Sequence, residues 1–104
     1  MRGYLIFDLE VTDPAAWEDY RRVAGPLMAA AGGRFLVGSQ KIEPLEGDWR
    51  PASISVVEFP SFEAAHSFYH SQEYQQTVPM RQRAARGHGI LVGSTPLPEE
   101  TQKT

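Results

Sequence analysis

The sequence contains no cysteine, and that absence excludes three kinds of chemistry. Without thiols, the chain has no disulfide framework, no thiolate metal site and no cysteine nucleophile. The lack of cysteine also fits a reducing compartment, and we expect a cytoplasmic protein. Hydrophobic residues make up 41% of the chain and charged residues 22%, which is the balance of an ordinary globular domain.

Long hydrophobic runs and an excess of positive charge are missing as well. No apolar stretch approaches the ~20 residues that cross a bilayer. Asp8 and Glu10 come too early for a signal peptide, so we expect no leader segment. The net charge of −3 lacks the basic field that accompanies nucleic-acid binding. We therefore expect neither a membrane nor a nucleic acid as a partner.

Alternating apolar side chains predict four strands within one domain. The chain of 104 residues is too short for two domains, and we place the single domain at residues 1–94. Residues 95–104 are polar and proline-containing, and we expect them to form a tail. The strands are expected at residues 4–11, 34–42, 53–59 and 87–93.

Helical periodicity predicts two helices and one further helical segment. The first helix follows the capping side chain of Asp13 and ends at Gly32-Gly33. The second follows Ser61. A new cap at Ser71 starts a helical segment at about Gln72, which Pro79 should interrupt because proline lacks an N–H donor.

The resulting order is βαββαβ, which predicts an α+β fold of the ferredoxin-like type. Right-handed crossovers place the first and third strands side by side and give an antiparallel sheet in the order 4-1-3-2. Two helices cover one face of this sheet, while the other face carries apolar side chains. We expect a second copy to cover that face, so that a homodimer closes an α/β barrel.

Several motifs occur together in one order along the chain: Thr12-Asp13-Pro14, Gly32-Gly33-Arg34-Phe35-Leu36, Leu45-Glu46-Gly47-Asp48-Trp49-Arg50-Pro51, Val57-Glu58-Phe59-Pro60-Ser61, Tyr69-His70-Ser71-Gln72-Glu73-Tyr74 and Arg81. In this order they resemble a bacterial family, domain-of-unknown-function family 1330. This resemblance implies the dimeric α/β-barrel superfamily, whose members include cofactor-free monooxygenases, lactone isomerases and heme-degrading enzymes. The family itself has no assigned reaction, and Gln72 stands where its members usually carry proline.

Polar residues concentrate around the helix break that follows the second helix. Tyr74, Val78 and Arg81 share one helical face, so Arg81 is a candidate for holding a carboxylate or an enolate. His70 is a candidate for proton transfer near neutral pH. The alternative is structural: Ser71 caps the segment and Arg81 extends over apolar surface.

Three further candidates lie outside that segment. Glu58 and Asp8 each interrupt an apolar strand, and Glu58 is a candidate general base unless it pairs with Arg34 or Arg50 near a strand end. Trp49 lies in a loop, where it either closes a pocket, anchors a partner chain or covers the edge of the sheet. Tyr20 lies on the apolar stripe of the first helix and is a candidate substrate contact.

Metal and cofactor sites are not predicted. His66 and His70 are four residues apart on a helix, but no third ligand lies near them in sequence. The leading hypothesis is a homodimer that binds a small organic molecule, with His70, Arg81 and Glu58 as catalytic candidates and Tyr20, Tyr74 and Trp49 as substrate contacts. The chemistry suggested by analogy is cofactor-independent oxygenation or isomerisation. The alternative is a non-catalytic dimeric module in which these residues serve structure only.

Overall fold

The computed structural model describes residues 1–95. The tail predicted for residues 95–104 lies outside the described residues except for Thr95. The elements, in chain order, are β1 (Gly3–Val11), α1 (Pro14–Ala30), β2 (Arg34–Ser39), β3 (Ile54–Phe59), α2 (Phe62–Tyr69), α3 (Gln72–Gln75), α4 (Val78–Ala84) and β4 (Ala85–Gly93).

Side-chain caps fix where the first three helices begin. The Asp13 carboxylate accepts a hydrogen bond from the Ala16 amide at 3.1 Å, and the Ser61 hydroxyl accepts one from the Ala64 amide at 2.9 Å. Ser71 caps α3 in the same way, because its Oγ accepts a hydrogen bond from the Tyr74 amide at 3.2 Å. Each cap satisfies a donor that the first turn of a helix leaves free.

The position of Pro79 differs from the prediction. The helical segment breaks at residues 76–77, before Pro79. Pro79 lies in the first turn of α4, so it does not interrupt a helix. The fixed φ angle of proline suits a first turn, where the missing N–H would have no partner in any case. The break therefore divides the predicted segment into α3 and α4.

The four strands form one antiparallel sheet in the order β2-β3-β1-β4. This order is the predicted 4-1-3-2 arrangement viewed from the other edge, so the ferredoxin-like topology is confirmed. Strand β2 is shorter than predicted and carries a bulge between Phe35 and Val37. The connection between β2 and β3, residues 40–53, is correspondingly longer than the predicted loop.

The hydrophobic core lies on one face of this sheet. Strand β1 contributes Leu5, Phe7 and Leu9, which are buried beneath the helices. Side chains along a strand alternate between faces, so Ile6 points to the opposite side, where its cross-strand neighbours are Val56 and Ile90. None of the helices in residues 1–95 covers that opposite face, which we call the helix-free face.

Every helix in the described part of the chain is too short or too polar to cross a membrane.

Candidate functional site

Three side chains that lie far apart in the sequence form a hydrogen-bonded chain between the sheet and the helices. The hydroxyls of Tyr20 on α1 and Tyr74 on α3 lie 2.8 Å apart. The Arg81 guanidinium on α4 donates to the Tyr74 hydroxyl, also at 2.8 Å. The structure thus brings together three of the six side chains that the sequence singled out.

The helix break positions Tyr74 and Arg81 relative to each other. Thr77, which is buried, donates its hydroxyl hydrogen bond to the Tyr74 carbonyl oxygen at 2.6 Å. Its own carbonyl oxygen accepts from the Arg81 amide at 3.1 Å. These two bonds join the end of α3 to the start of α4, so the two side chains stay on one face although the helix is interrupted.

Arg81 is a half-buried cation surrounded by aromatic groups. Its guanidinium carbon lies 5.0 Å from the centre of the Phe7 ring, within cation–π range. Burial by itself lowers the pKa of Arg81, but the hydroxyls of Tyr74, Tyr69 and Tyr20 outweigh it and raise that pKa above its usual range. Among residues 1–95, Arg81 forms no ion pair with a carboxylate.

Tyr20 is held in its neutral form. Its burial raises the pKa of the phenol well above the ordinary value of 10.0, and the neighbouring Tyr74 hydroxyl raises it further. Arg81 acts in the opposite direction but does not cancel these effects. At neutral pH, Tyr20 is therefore a hydrogen-bonding group and not a general base.

A cavity of about 220 Å³ lies beside Arg81, between strands β1 and β4 and the helices. Its apolar groups come mainly from the two strands, while its polar groups come from the C-terminal end of α2 and from Arg81 on α4. His70, which is exposed, stands at this cavity. The lining residues are Leu5, Phe7, Tyr69, His70, Arg81, Gly89, Ile90 and Leu91.

Glu58 lies on the helix-free face, away from Arg81. Its carboxylate accepts hydrogen bonds from Arg34 at 2.8 Å and from Tyr4 at 3.1 Å, and Arg2 lies 3.6 Å away. Partial desolvation raises the pKa of Glu58, but these donors and charges outweigh it and hold that pKa below 4.5. The pairing with Arg34 is the structural alternative that the sequence offered. The alternation of β3 directs Val57 and Phe59 to the core and Glu58 away from it, so Glu58 does not join Arg81 and His70, and its role as a general base stays a prediction.

Trp49 also lies apart from the tyrosine–arginine chain. Its indole Nε1 donates to the Asp8 carboxylate at 2.8 Å, and Asp8 belongs to the helix-free face. The Trp49 side chain is 62% exposed. Trp49 is not among the residues that line the Arg81 cavity, and its role as a substrate contact stays a prediction.

Phe7 and Gly89 are cavity residues that the sequence reasoning did not single out. The Phe7 ring belongs to the buried core and also lies 5.0 Å from the guanidinium carbon of Arg81. Gly89 lies opposite Phe7 on β4, and a Cβ atom there would stand 2.6 Å from the Phe7 ring. A glycine inside a strand often marks such a close approach, which is the signal that could have identified it.

The two helical histidines lie close together without forming a metal cluster. The His66 and His70 rings are 4.4 Å apart between centroids. No group of three or more candidate metal ligands occurs within residues 1–95. A two-histidine pair by itself falls short of the three protein ligands that a catalytic zinc site uses.

Solved structures with the same fold include proteins of different description. RPA0582, a protein of unknown function from Rhodopseudomonas palustris, matches with a TM-score of 0.71 and 22% identity over 93% of this chain and 83% of that chain. SnoaB, a cofactor-independent oxygenase from Streptomyces nogalater, matches with a TM-score of 0.63 and 11% identity over 94% and 97%. HapK from Hahella chejuensis matches with a TM-score of 0.60 and 14% identity over 92% and 95%. At such identities these similarities show the fold alone.

No curated protein matches the sequence. A family model does: the domain of unknown function DUF1330 aligns with residues 2–95, which is nearly the whole of the part that the structure describes. This alignment includes the helix break, with Tyr74 and Arg81, and all four strands. The chain therefore belongs to the DUF1330 family.

Proposed function

We propose that the protein is a homodimer in which each subunit binds a small organic anion between its sheet and its helices. The observation that carries this proposal is the state of Arg81. It is a half-buried cation at a cavity, its hydrogen-bond partner is the Tyr74 hydroxyl, and no carboxylate in residues 1–95 pairs with it. Buried charges are normally paired, so a ligand carboxylate or enolate is the complement that this site calls for.

The tyrosines hold the guanidinium in place for that ligand. One N–H of Arg81 donates to the Tyr74 hydroxyl, and the guanidinium lies over the Phe7 ring. A guanidinium carries five N–H donors, so others stay available for a bidentate contact with a carboxylate. Tyr20 is bonded to Tyr74 and restrains it from the α1 side.

The size and lining of the cavity limit the ligand. A space of about 220 Å³ lies below the usual range for drug-sized ligands, so it suits a compact acid with one ring or a short chain. Leu5, Phe7 and Leu91 offer apolar contacts to its body. His70 stands at the mouth of the cavity, where it can accept or return a proton in contact with solvent.

The homodimer is supported by the helix-free face. Ile6, Val56, Ile90 and Val92 lie on that face, and Ile90 and Val92 are exposed within the described chain. An apolar surface of this kind usually marks an interface. A second copy related by a twofold axis would cover it with an identical surface.

A cofactor-independent oxygenase or isomerase is the second candidate. It is favoured by the likeness in fold to SnoaB, described as a cofactor-independent oxygenase, and by a proton-transferring histidine beside an anion-binding arginine. In this scheme Arg81 holds the enolate or phenolate form of the substrate, and His70 receives the proton. Glu58 and Trp49 take no part, since they lie on the helix-free face.

Calorimetric titration with benzoate, phenylacetate and salicylate tests the anion site. We expect saturable binding to the wild-type protein and at least a tenfold loss of affinity in Arg81→Gln. Arg83→Gln is the matched control, because Arg83 is an exposed arginine on the same helix. Equal affinity in Arg81→Gln and the wild type, with folding verified by circular dichroism, would reject the proposal. Failure of all three acids to bind the wild type would favour the non-catalytic module.

A further inference from the structure

A second and larger cleft lies between α1 and the sheet. Helix α1 packs on α4, and the cleft lies between α1 and strands β2 and β3. The space beneath it has a volume of about 710 Å³, within the usual range of small-molecule pockets. Phe7 borders both this cleft and the Arg81 cavity, whereas Arg81 borders only the smaller space.

The walls of the α1 cleft are mostly apolar. Leu9 and Val57 contribute to its floor, and Trp17 and Met28 contribute from α1. Phe35 on β2 also faces the cleft and is 60% exposed within the described chain. An aromatic ring left exposed at the mouth of an apolar cleft offers contact area that the fold itself does not use.

The polar groups of the cleft are largely engaged with other protein groups. Arg21, its one charged lining residue in the described chain, is bonded to Glu18 at 3.1 Å. The Ser53 hydroxyl donates to the Leu9 carbonyl oxygen at 2.6 Å, and the Tyr20 hydroxyl is bonded to Tyr74. A charged ligand would lose its hydration here, and the one charged side chain that lines the cleft in the described chain, Arg21, is already paired with Glu18.

Gly38 leaves the cleft open on the β2 side. It lines the cleft, and its partner across the sheet, Ser55, lines it as well. Its backbone does not have a positive φ angle, and a Cβ atom at this position would meet no atom within 4 Å beyond its chain neighbours. A larger side chain at Gly38 would therefore extend into the cleft.

We infer that the α1 cleft is a second ligand site, separate from the Arg81 cavity, which takes an uncharged and predominantly apolar molecule. Its occupant is larger than the anion in the Arg81 cavity, since the cleft has about three times the volume (710 Å³ against 220 Å³). The Tyr20–Tyr74–Arg81 hydrogen bonds run between the two sites, because Tyr20 lines the cleft and Arg81 lines the smaller cavity.

N-Phenyl-1-naphthylamine, a neutral dye whose fluorescence rises in apolar surroundings, tests this inference. We expect saturable binding to the wild-type protein. Gly38→Leu places an isobutyl group in the cleft and should weaken dye binding at least tenfold, while the melting temperature stays close to that of the wild type because Gly38 has open space around it. Ala15→Leu adds a leucine to the exposed side of α1 and should bind the dye like the wild type.

Two results would overturn the inference. One is unchanged dye affinity in Gly38→Leu, which would place the dye elsewhere, for instance on the helix-free face. The other is the absence of saturable dye binding to the wild type. Neither result bears on the anion site, whose test depends on Arg81→Gln and carboxylate ligands. Likewise, failure of the carboxylates to bind would leave the dye experiment as a valid test of the α1 cleft.

Discussion

The Tyr20 hydroxyl lies 2.8 Å from the Tyr74 hydroxyl, and this contact joins α1 to the helix break from a distance of 54 residues in the sequence. Both side chains are buried, with exposed fractions of 4% for Tyr20 and 0% for Tyr74. The Tyr74 hydroxyl is hydrogen-bonded to Arg81 as well as to Tyr20. Within residues 1–95, the Tyr20 hydroxyl is hydrogen-bonded to Tyr74. The two tyrosines should therefore respond unequally to loss of their hydroxyl groups.

Urea unfolding of Tyr20→Phe, Tyr74→Phe and the double variant measures that asymmetry. Tyr20→Phe should lower the free energy of unfolding by about 1 kcal/mol, because Tyr74 keeps its bond to Arg81. Tyr74→Phe should cost more, ~2 kcal/mol, because it leaves the Tyr20 hydroxyl buried without that partner. The double variant should lose less than the sum of the single losses. Equal and additive losses would contradict the description of this contact.

The Glu58 cluster should make stability depend on acid pH. The pKa of Glu58 is held below its ordinary value of 4.5. The ionised Glu58 therefore contributes to the free energy of unfolding above pH 4.5, and this contribution is lost as the pH falls through the lower pKa of the folded state. Thermal unfolding followed from neutral to acid pH should therefore show a shallower decline in Glu58→Gln than in the wild type. Glu46→Gln, in the exposed β2–β3 loop, should keep the wild-type profile. If the stability of Glu58→Gln falls with pH as steeply as that of the wild type, the acid sensitivity comes from other groups.

A charge on the helix-free face should prevent the proposed dimer from forming. Val92 lies on that face with 37% of its surface exposed, so a lysine there can reach water in a lone subunit but would be desolvated between two subunits. Light scattering should report a dimer for the wild type and a monomer for Val92→Lys. Val23→Lys makes the same change on α1, where the valine is 45% exposed, and should stay dimeric. A monomeric wild type would refute the homodimer directly.

Gly89 should be far more sensitive to alanine than Gly38. A Cβ atom at Gly89 would stand 2.6 Å from the Phe7 ring, whereas one at Gly38 would meet no atom within 4 Å. Gly89→Ala forces the Phe7 ring to move and should cost about 1–3 kcal/mol, as overpacking does in a core. The displaced ring also disturbs the support of Arg81, so carboxylate affinity should fall. Thermal melts and titrations of the two variants should therefore diverge, and matching behaviour would exclude a close contact between Gly89 and Phe7.

Local chemistry made most of the fold predictable from the sequence. Caps such as Asp13 and Ser71 mark helix starts because the side chain that satisfies the first turn is adjacent in the sequence. Strand alternation and right-handed crossovers were enough to give the sheet order. Pro79 was misplaced because the same residue breaks a helix from within and opens one at its first turn, and the sequence alone left the position of the break open.

The site was only partly predictable. The spacing of Tyr74 and Arg81 along one helical face was correct across the break because Thr77 bonds to both sides of it. The contact between Tyr20 and Tyr74 depends on how α1 crosses the helix break, which no local pattern specifies. Glu58 was named as a candidate base without a face of the sheet being assigned to it, and the alternation of β3 directs it away from the core.

The bulge between Phe35 and Val37 affects how molecules of this protein can aggregate. Strand β2 forms one border of the sheet, and a bulge disrupts the regular row of amide and carbonyl groups that an incoming strand would need for pairing. Extension of the sheet from that border, the first step of fibril growth, is therefore disfavoured. A destabilised form of the protein should precipitate amorphously in preference to assembling through β2 into ordered fibres.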